Sequence, residues 1–149
     1  MREILFRGKR CDNGEWVQGF YVRADHHWHK NGIHKDWIAL GASANGGWFA
    51  LHNKYAVKAE TAGQFTGLTD KNGKKIFEGD IVRVLGNQQV EDWKNVDYVA
   101  LIAFLDGGFC AIDGTVEEHG FRRYALARMD FSLEIIGNQF DNPELLENP

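Results

Sequence analysis

The residues best suited to metal chemistry lie between positions 25 and 36, where four histidines occur close together: His26, His27, His29 and His34. On a strand, the side chains of His27 and His29 would point to the same side, and imidazole is a common ligand of zinc and nickel. No cysteine lies nearby, and only Asp25 and Asp36 flank the cluster. We therefore predict a solvated or interface loop rather than a metal site, and keep His27 and His29 as weak metal candidates.

Aromatic side chains form the second group of candidates. Trp and Tyr are enriched at protein interfaces because each combines a large apolar area with a polar group. Their position in a hairpin and in short segments between polar loops predicts an interface or ligand contact, and self-association of the chain, through Trp16, Tyr21, Trp28, Trp37 and Trp48. The alternative is that these rings form a satellite core at one end of the domain.

Basic residues form the third group, and they predict a weak nucleic-acid site at Arg7, Lys9, Arg10, Lys71, Lys74 and Lys75. Small barrels bind nucleic acid by combining basic grooves with stacking aromatics. However, lysines beside a hairpin turn also keep edge strands soluble. Residues 1–60 carry nine Lys/Arg against six Asp/Glu, residues 61–129 carry eight against ten, and residues 130–149 carry none against five. The charge balance therefore does not favour nucleic acid as the main partner.

Sequence motifs of catalysis are missing. The glycines show neither the GxxxxGK[ST] nor the GxGxxG spacing of phosphate-binding loops, and there is no GxSxG or HExxH segment. Neighbouring acids such as Glu117 and Glu118 would face opposite sides of a strand and could not converge on one reacting atom. We expect no cofactor and no enzyme, with a metal-dependent hydrolase as a remote alternative.

Glycine-rich turns position these residues. The chain has 17 Gly, 2 Pro and 13% aromatic residues, a composition that favours short strands joined by tight turns. The Asn-Gly pairs at 13–14 and 72–73 predict two-residue hairpin turns, and Asp106-Gly107 predicts a third. Gly67 and Gly79 are expected at turn or bulge positions, and Asp80 is expected to bind backbone donors at its turn. The full set of predicted turn residues is Asn13, Gly14, Gly67, Asn72, Gly73, Gly79 and Asp80.

Alternating apolar patterns predict strands at 5–10, 15–22, 36–40, 47–51, 55–58, 64–68, 74–77, 80–85, 98–105, 108–112 and 132–136. The polar, His-rich segment at 23–35 is predicted to be a long loop or an extended hairpin arm, and the small residues at 41–47 are predicted to form a loop. Tyr98–Leu105 is apolar on both faces and is predicted to be the most buried strand. Residues 121–129 fit either a helix or a bent strand. Asn142 as a cap and Pro143 at the first helical position predict a short C-terminal helical turn.

Strand spacing predicts a mainly β chain. Six or more short strands after residue 64 indicate a small closed barrel. We predict a single domain over 1–149, in which residues 1–61 form an N-terminal hairpin region with a His- and Trp-rich insert. Residues 62–149 form the small barrel and a C-terminal tail.

Three segments carry a family resemblance: FRGKRCDNGEWVQGFYV at 6–22, TGLTDKNGKKIFEGDIV at 66–82 and EIIGNQFDNPELL at 134–146. Together they make the chain resemble the YopX family of phage and prophage proteins over residues 2–146. The resemblance implies a Src-homology-3-like small β-barrel and a phage or prophage origin, but no established activity. Residues 23–60 depart from the family pattern, so we expect any function specific to this chain there.

The expected function is binding without catalysis, by an accessory protein of a phage or prophage. We expect protein–protein contacts, with a second copy of the chain and with a phage or host protein as partners. A nucleic-acid-binding small barrel is the alternative. The chain opens Met1-Arg2-Glu3 without an export signal, and its longest apolar run is too short for a membrane span. Two cysteines make no disulfide framework, so we expect the cytoplasm of the bacterial host.

Overall fold

Antiparallel strands build this chain, and they group into two units. The computed structural model describes residues 1–25, 34–46, 48–87, 89, 91–92, 94–113, 122–126 and 131–147. The first unit is Met1–Phe65 and the second is Thr66–Pro149. The boundary falls inside one strand, so that strand contributes its first half to one unit and its second half to the other.

The first unit is a coiled sheet with the strand order β4-β3-β2-β1-β5. Its strands are β1 (Phe6–Lys9), β2 (Trp16–Asp25), β3 (His34–Asn45), β4 (Trp48–Val57) and the first half of β5 (Gly63–Thr69), with a 3₁₀ turn at Ala59–Thr61. The end of β4 returns to the end of β1 through an isolated bridge between Arg10 and Val57. Ile38 and Val57 are buried on the inner side of the curl.

Two glycines allow this curl. A Cβ added at Gly8 would lie 3.0 Å from the Val57 Cβ, and one at Gly19 would lie 2.3 Å from the Ala39 carbonyl oxygen. No larger residue fits at Gly19 without moving backbone. These positions therefore require glycine because β1 and β2 pass close to their neighbours.

The predicted small-residue loop at 41–47 is mostly strand, which corrects the three short strands predicted between 36 and 58. Pairing of β3 with β4 runs without interruption of register from Asp36↔Val57 to Asn45↔Trp48, and Gly46 has a φ of +56° at the turn. Backbone pairing forms this exposed hairpin of small residues, and a 2.6 Å hydrogen bond between Ser43 Oγ and His52 Nε2 adds a side-chain link between its strands. In the segment 23–35, predicted as a long loop or an extended hairpin arm, β2 extends to Asp25 and pairs with β3 from His34, as the hairpin-arm alternative predicts.

The second unit contains a five-stranded sheet with the order β10-β9-β8-β7-β11, and the second half of β5 lies beside β6. Its strands are β6 (Lys75–Phe77), β7 (Asp80–Leu85), β8 (Asp97–Leu105), β9 (Gly108–Asp113), β10 (Arg122–Ala125) and β11 (Ser132–Asn138), followed by a 3₁₀ turn at Pro143–Leu146. The core consists of Ile76, Val82, Val84, Ala100, Ile102, Ala111, Leu126 and Leu133.

The mainly β fold predicted from the sequence is confirmed. Among the described residues, strand pairing forms sheets but no closed barrel, so the Src-homology-3-like architecture stays a prediction. The ambiguous segment is a strand at Arg122–Ala125. The most buried strand is β7 rather than β8, because the end of β8 extends past the core and leaves Phe104 and Leu105 exposed.

The turns at Asn13-Gly14 and Asn72-Gly73 differ from the predicted two-residue form. At both, only the glycine has positive φ, +73° for Gly14 and +82° for Gly73. In the second turn the Gly73 amide donates to the Asp70 carbonyl and the Asp70 amide donates to the Lys74 carbonyl. This is a type I turn followed by a G1 bulge. The two-residue type I′ turn occurs at Asp106-Gly107, where φ is +51° and +81°.

The C-terminal helical turn is confirmed, but its predicted cap is not. Pro143 occupies the start of the 3₁₀ turn, and Asn142 makes no capping hydrogen bond. The Asn142 Oδ1 atom instead accepts a bond from the Asn138 amide at 3.4 Å. The side chain therefore points back toward the end of β11.

Candidate binding surfaces

Two of the predicted interface tryptophans lie on one side of the first sheet. Lys9 of β1 is paired with Trp16 of β2, and Val22, six residues further along β2, is paired with Trp37 of β3. Alternate residues of a strand and their cross-strand partners share a side, so Trp16 and Trp37 do as well. We call this side the tryptophan face; its cationic and tryptophan side chains are Arg7, Lys9, Trp16, Lys35, Trp37 and Lys54.

Cations surround the first of these rings. The guanidinium carbon of Arg7 lies 4.7 Å from the centre of the Trp16 ring, and Nζ of Lys9 lies 5.8 Å from it. Both distances are within the range of cation–π attraction. The arrangement brings together two predicted nucleic-acid residues and one predicted interface residue.

The second ring repeats this pattern on β3. Nζ of Lys54 lies 5.2 Å from the centre of the Trp37 ring, and Nζ of Lys35 lies 5.8 Å from it. Both lysines are exposed and Trp37 is half-buried. Lys35 and Lys54 were not predicted as site residues. Lys35 lies in the segment 23–35, outside the strands predicted from the sequence, and only the register of β3 with β4 places Lys54 beside Trp37.

Tyr21 lies on the opposite side of β2 and does not join the tryptophan face. Its hydroxyl donates to Asp36 Oδ1, and its ring centre lies 5.5 Å from that of Phe6. Burial raises the pKa of the Tyr21 hydroxyl above its usual value, and the hydrogen bond and charge of Asp36 raise it further, while Arg23 opposes the shift. The side chain is thus engaged inside the first unit, which favours a structural role over a contact role.

Several predicted residues cannot be placed. His27, Trp28 and His29 lie outside the described residues, and for Trp48 the structure describes the backbone in β4 but not the side chain. Within the described part of the chain, no group of three or more His, Cys, Asp or Glu residues is arranged to hold a metal ion.

The remaining predicted basic residues are dispersed. Arg10 lies on the other side of β1, where its guanidinium binds Asp12 at 2.9 and 2.6 Å and stacks 4.3 Å from the Tyr55 ring centre. In the second unit, Lys71 Nζ lies 2.9 Å from Glu134 Oε2, while Lys74 is exposed and Lys75 is half-buried. These four side chains do not belong to the tryptophan face.

The turn between β6 and β7 uses both residues predicted for it. Gly79 has a φ of +88°. Asp80 is 1% exposed, and its Oδ2 atom accepts a 2.8 Å bond from the Phe77 amide. Gly67, within β5, also has positive φ, +86°. Gly67 and Gly79 thus have a structural role in the path of the backbone. The Asp80 side chain is buried and is not accessible to a ligand.

An apolar tip on the β8–β9 hairpin was not predicted as a site. Phe104 and Phe109 are paired across the hairpin and their ring centres lie 5.0 Å apart, edge to face. Phe104 is 49% exposed and Leu105 is 40% exposed. On the Leu105 side, a hollow of about 300 Å³ is lined by Leu105, Asp106, Gly107, Gly108, Phe109, Cys110 and Ala125. We call Phe104, Leu105 and Phe109 the hairpin tip.

A signal for the hairpin tip existed in the sequence. Two apolar strands meet at Asp106-Gly107 with phenylalanines on either side of the turn. Side chains next to a tight turn extend past the sheet unless another element covers them. The apolar run predicts a buried core strand over its whole length, and the exposed tip was therefore missed.

None of the described helices is long and apolar enough to cross a membrane. No curated protein matches the chain. One similar solved structure is the crystal structure of protein EF1440 from Enterococcus faecalis, with 23% identity and a TM-score of 0.54, covering 98% of this chain and 99% of that one. This likeness concerns the fold. The model of the family described as YopX protein matches residues 5–147. This match confirms the resemblance predicted from the three sequence segments, and the chain belongs to the YopX protein family.

Proposed function

We propose that this chain is an accessory binding protein of a phage or prophage that works without catalysis, through protein–protein contacts, in the cytoplasm of the bacterial host. We propose a second copy of the chain as its first partner. We keep a Src-homology-3-like arrangement of the second unit as part of this proposal. The observation that supports it is the exposed hairpin tip.

The hairpin tip has the properties of an interface anchor. The Phe104 and Phe109 rings pack together on one face of the hairpin end and Leu105 lies on the other face, whereas exposed apolar residues on monomeric proteins are usually scattered. The positive φ values at Asp106 and Gly107 fit a type I′ turn, so little conformational freedom would be lost on contact. Large rigid rings of this kind supply much of the energy at protein interfaces.

A second copy is the simplest partner for such a patch. A two-fold axis brings one apolar patch against its own copy, so no separate complementary surface is needed. The second unit as a whole carries eight Lys/Arg and fifteen Asp/Glu. The three residues at the hairpin tip are uncharged, and Asp106 in the turn is their only charged neighbour along the hairpin between Leu101 and Ile112, so contact there has few charged side chains to desolvate.

The aromatic N-terminal half, predicted from the sequence as the contact region, remains a second surface for the same function. Phe20 is 55% exposed and Leu40 is 53% exposed in the first unit. They alternate between opposite sides of the sheet, because Phe20 pairs with Ala39, the neighbour of Leu40. The hairpin tip is favoured because the Phe104 and Phe109 rings are paired and in contact on one face of the hairpin.

The test is the mass in solution at micromolar concentration, by sedimentation or light scattering. We expect the parent chain to show a concentration-dependent rise toward twice 16.9 kDa. Phe104→Ser with Leu105→Ser should shift it to a monomer. Ile136→Ser is the matched control, since Ile136 is an exposed apolar residue of the same unit, 37% exposed. A parent chain that stays monomeric would refute the self-association. A dimer broken instead by Phe20→Ser would move the contact to the first unit.

A further inference from the structure

We propose that the tryptophan face binds single-stranded nucleic acid, with Trp37 stacking on a base and Lys35 and Lys54 contacting phosphates. The first support is charge. None of the strand positions on this side of β1–β4 is Asp or Glu. Five of them carry a basic or imidazole side chain: Arg7, Lys9, Lys35, His52 and Lys54. A face with cations and no acids complements a phosphate backbone.

On the other side of the same sheet, by contrast, basic side chains lie next to acidic ones. There, Arg10 binds Asp12, and the Arg23 Nε atom lies 3.8 Å from Asp36 Oδ1. Within the described part of the chain, neither Lys35 nor Lys54 takes part in an ion pair. Arg10 and Arg23 thus lie near aspartates on one side of the sheet, whereas Lys35 and Lys54 flank Trp37 on the other.

The geometry around Trp37 suits an exchange of partners. In the free protein the ammonium groups of Lys35 and Lys54 lie 5.8 and 5.2 Å from the ring centre. An exposed cation–π contact is weaker than the stacking of a base on an aromatic ring. A base can therefore replace an ammonium at the ring, and the flexible lysine is then close to the adjoining phosphate.

The spacing of the two tryptophans matches an extended ligand. Trp16 and Val22, the partner of Trp37, are six residues apart on β2, which corresponds to about 20 Å along the strand. Successive aromatic rings flanked by cations are the pattern by which sheet surfaces hold single strands without reading sequence. Paired bases in a duplex cannot stack on such rings, so we expect a preference for single strands.

The experiment measures fluorescence anisotropy of a labelled twelve-residue oligothymidine with the full chain, at low salt and through a salt series. We expect binding that weakens steeply with salt. Lys35→Gln with Lys54→Gln should reduce the slope of log K against log salt by about 1.4, for two phosphate contacts on a single strand. Trp37→Ala should weaken binding by about fivefold or more, with the slope unchanged, whereas Trp37→Phe should retain most of the affinity.

The matched control removes the same charge elsewhere. Arg23→Gln with Arg83→Gln replaces two exposed cations that each lie near an aspartate, one on the other side of the first sheet and one in the second unit, and it should leave the salt slope and affinity nearly unchanged. Equal loss in the control, equal affinity for a duplex of the same length, or no salt-dependent binding would each overturn the proposal. Equal affinity for an oligoglutamate of the same charge would do so as well. The hairpin tip belongs to the other unit, so Phe104→Ser with Leu105→Ser separates this result from the proposed function.

Discussion

The Asp70 carboxylate and the Ile135 amide are joined by a 3.1 Å hydrogen bond that links the loop after β5 to the edge strand β11, 65 residues later. The Lys71 amide adds a 2.8 Å bond to the Leu133 carbonyl beside it. β11 would otherwise expose its backbone groups there, because β7 covers only its other edge. The loop thus protects a sheet edge inside the second unit.

Asp70 is central to this arrangement, so we expect Asp70→Ala to destabilise the chain by about 2–3 kcal/mol. One carboxylate oxygen accepts from the Asn72 and Lys74 amides, both at 2.9 Å, and the other accepts from Ile135. Urea unfolding followed by tryptophan fluorescence measures the change. The control is Asp92→Asn at an exposed position, which should unfold like the parent; a D70A chain that did so as well would remove the role assigned to Asp70.

The pH dependence of stability should also depend on Asp70. Burial alone would raise the pKa of Asp70, but the backbone donors of Ile135, Lys74 and Asn72, with the charge of Lys74, lower this pKa below the usual value of an aspartate. A lowered folded-state pKa means that the carboxylate stabilises the fold above the unfolded value. This stabilisation is lost as the pH falls below about 4.

We therefore expect the parent to lose more unfolding free energy than Asp70→Asn between pH 6 and pH 3. The substituted amide keeps the size of the side chain but cannot ionise. Parallel urea titrations at the two pH values give the difference. Equal losses in parent and variant would show that other carboxylates account for the acid sensitivity.

Gly79→Val should destabilise the chain by about 1–3 kcal/mol, because a β-branched residue is strained at a φ of +88°. An added Cβ would also lie 3.2 Å from Gln139 Nε2 and from Phe140 Cε2. Gly108→Ala is the control, since a Cβ there meets nothing within 4 Å. Thermal melting of the parent and both variants measures the difference in stability. A Gly79→Val chain that melts at the parent temperature would mean that this turn tolerates side chains.

The positions of the turns could be predicted from the sequence, but their types could be predicted less well. The predicted turns at Asn13-Gly14, Asn72-Gly73 and Asp106-Gly107 all join neighbouring antiparallel strands, as the sequence indicates. Which turn forms depends on the register of the flanking strands, and this is set by long-range pairing: Asp70 must bond Lys74, which leaves room for a bulge at Gly73. Sequence patterns of a few residues do not contain that register.

The candidate surfaces show the same limit. The sequence predicted Trp16 and Trp37 as contact residues, and it also showed which residues alternate with them along their own strands. That they share a side with Lys35 and Lys54 depends on the pairing of β2 with β3 and of β3 with β4. The predicted loops at 23–35 and 41–47 concealed this pairing, because small and polar residues predict strand ends where these strands in fact continue.

The final prediction concerns Tyr21, for which sequence and structure favour different roles. Its hydroxyl donates to Asp36, which is only 8% exposed, so Tyr21→Phe leaves a nearly buried carboxylate without this donor. We expect a destabilisation of about 1–2 kcal/mol, less than for a fully buried hydrogen bond to a charged group because Tyr21 is partly exposed.

Tyr55→Phe is the control on the same side of the sheet, since Tyr55 pairs with Ile38 as Tyr21 does. Its effect should stay within about 0.5 kcal/mol. Urea unfolding at pH 7 measures both. If Tyr21→Phe were as stable as the parent but changed the mass in solution, Tyr21 would be a contact residue, as its sequence context first indicated.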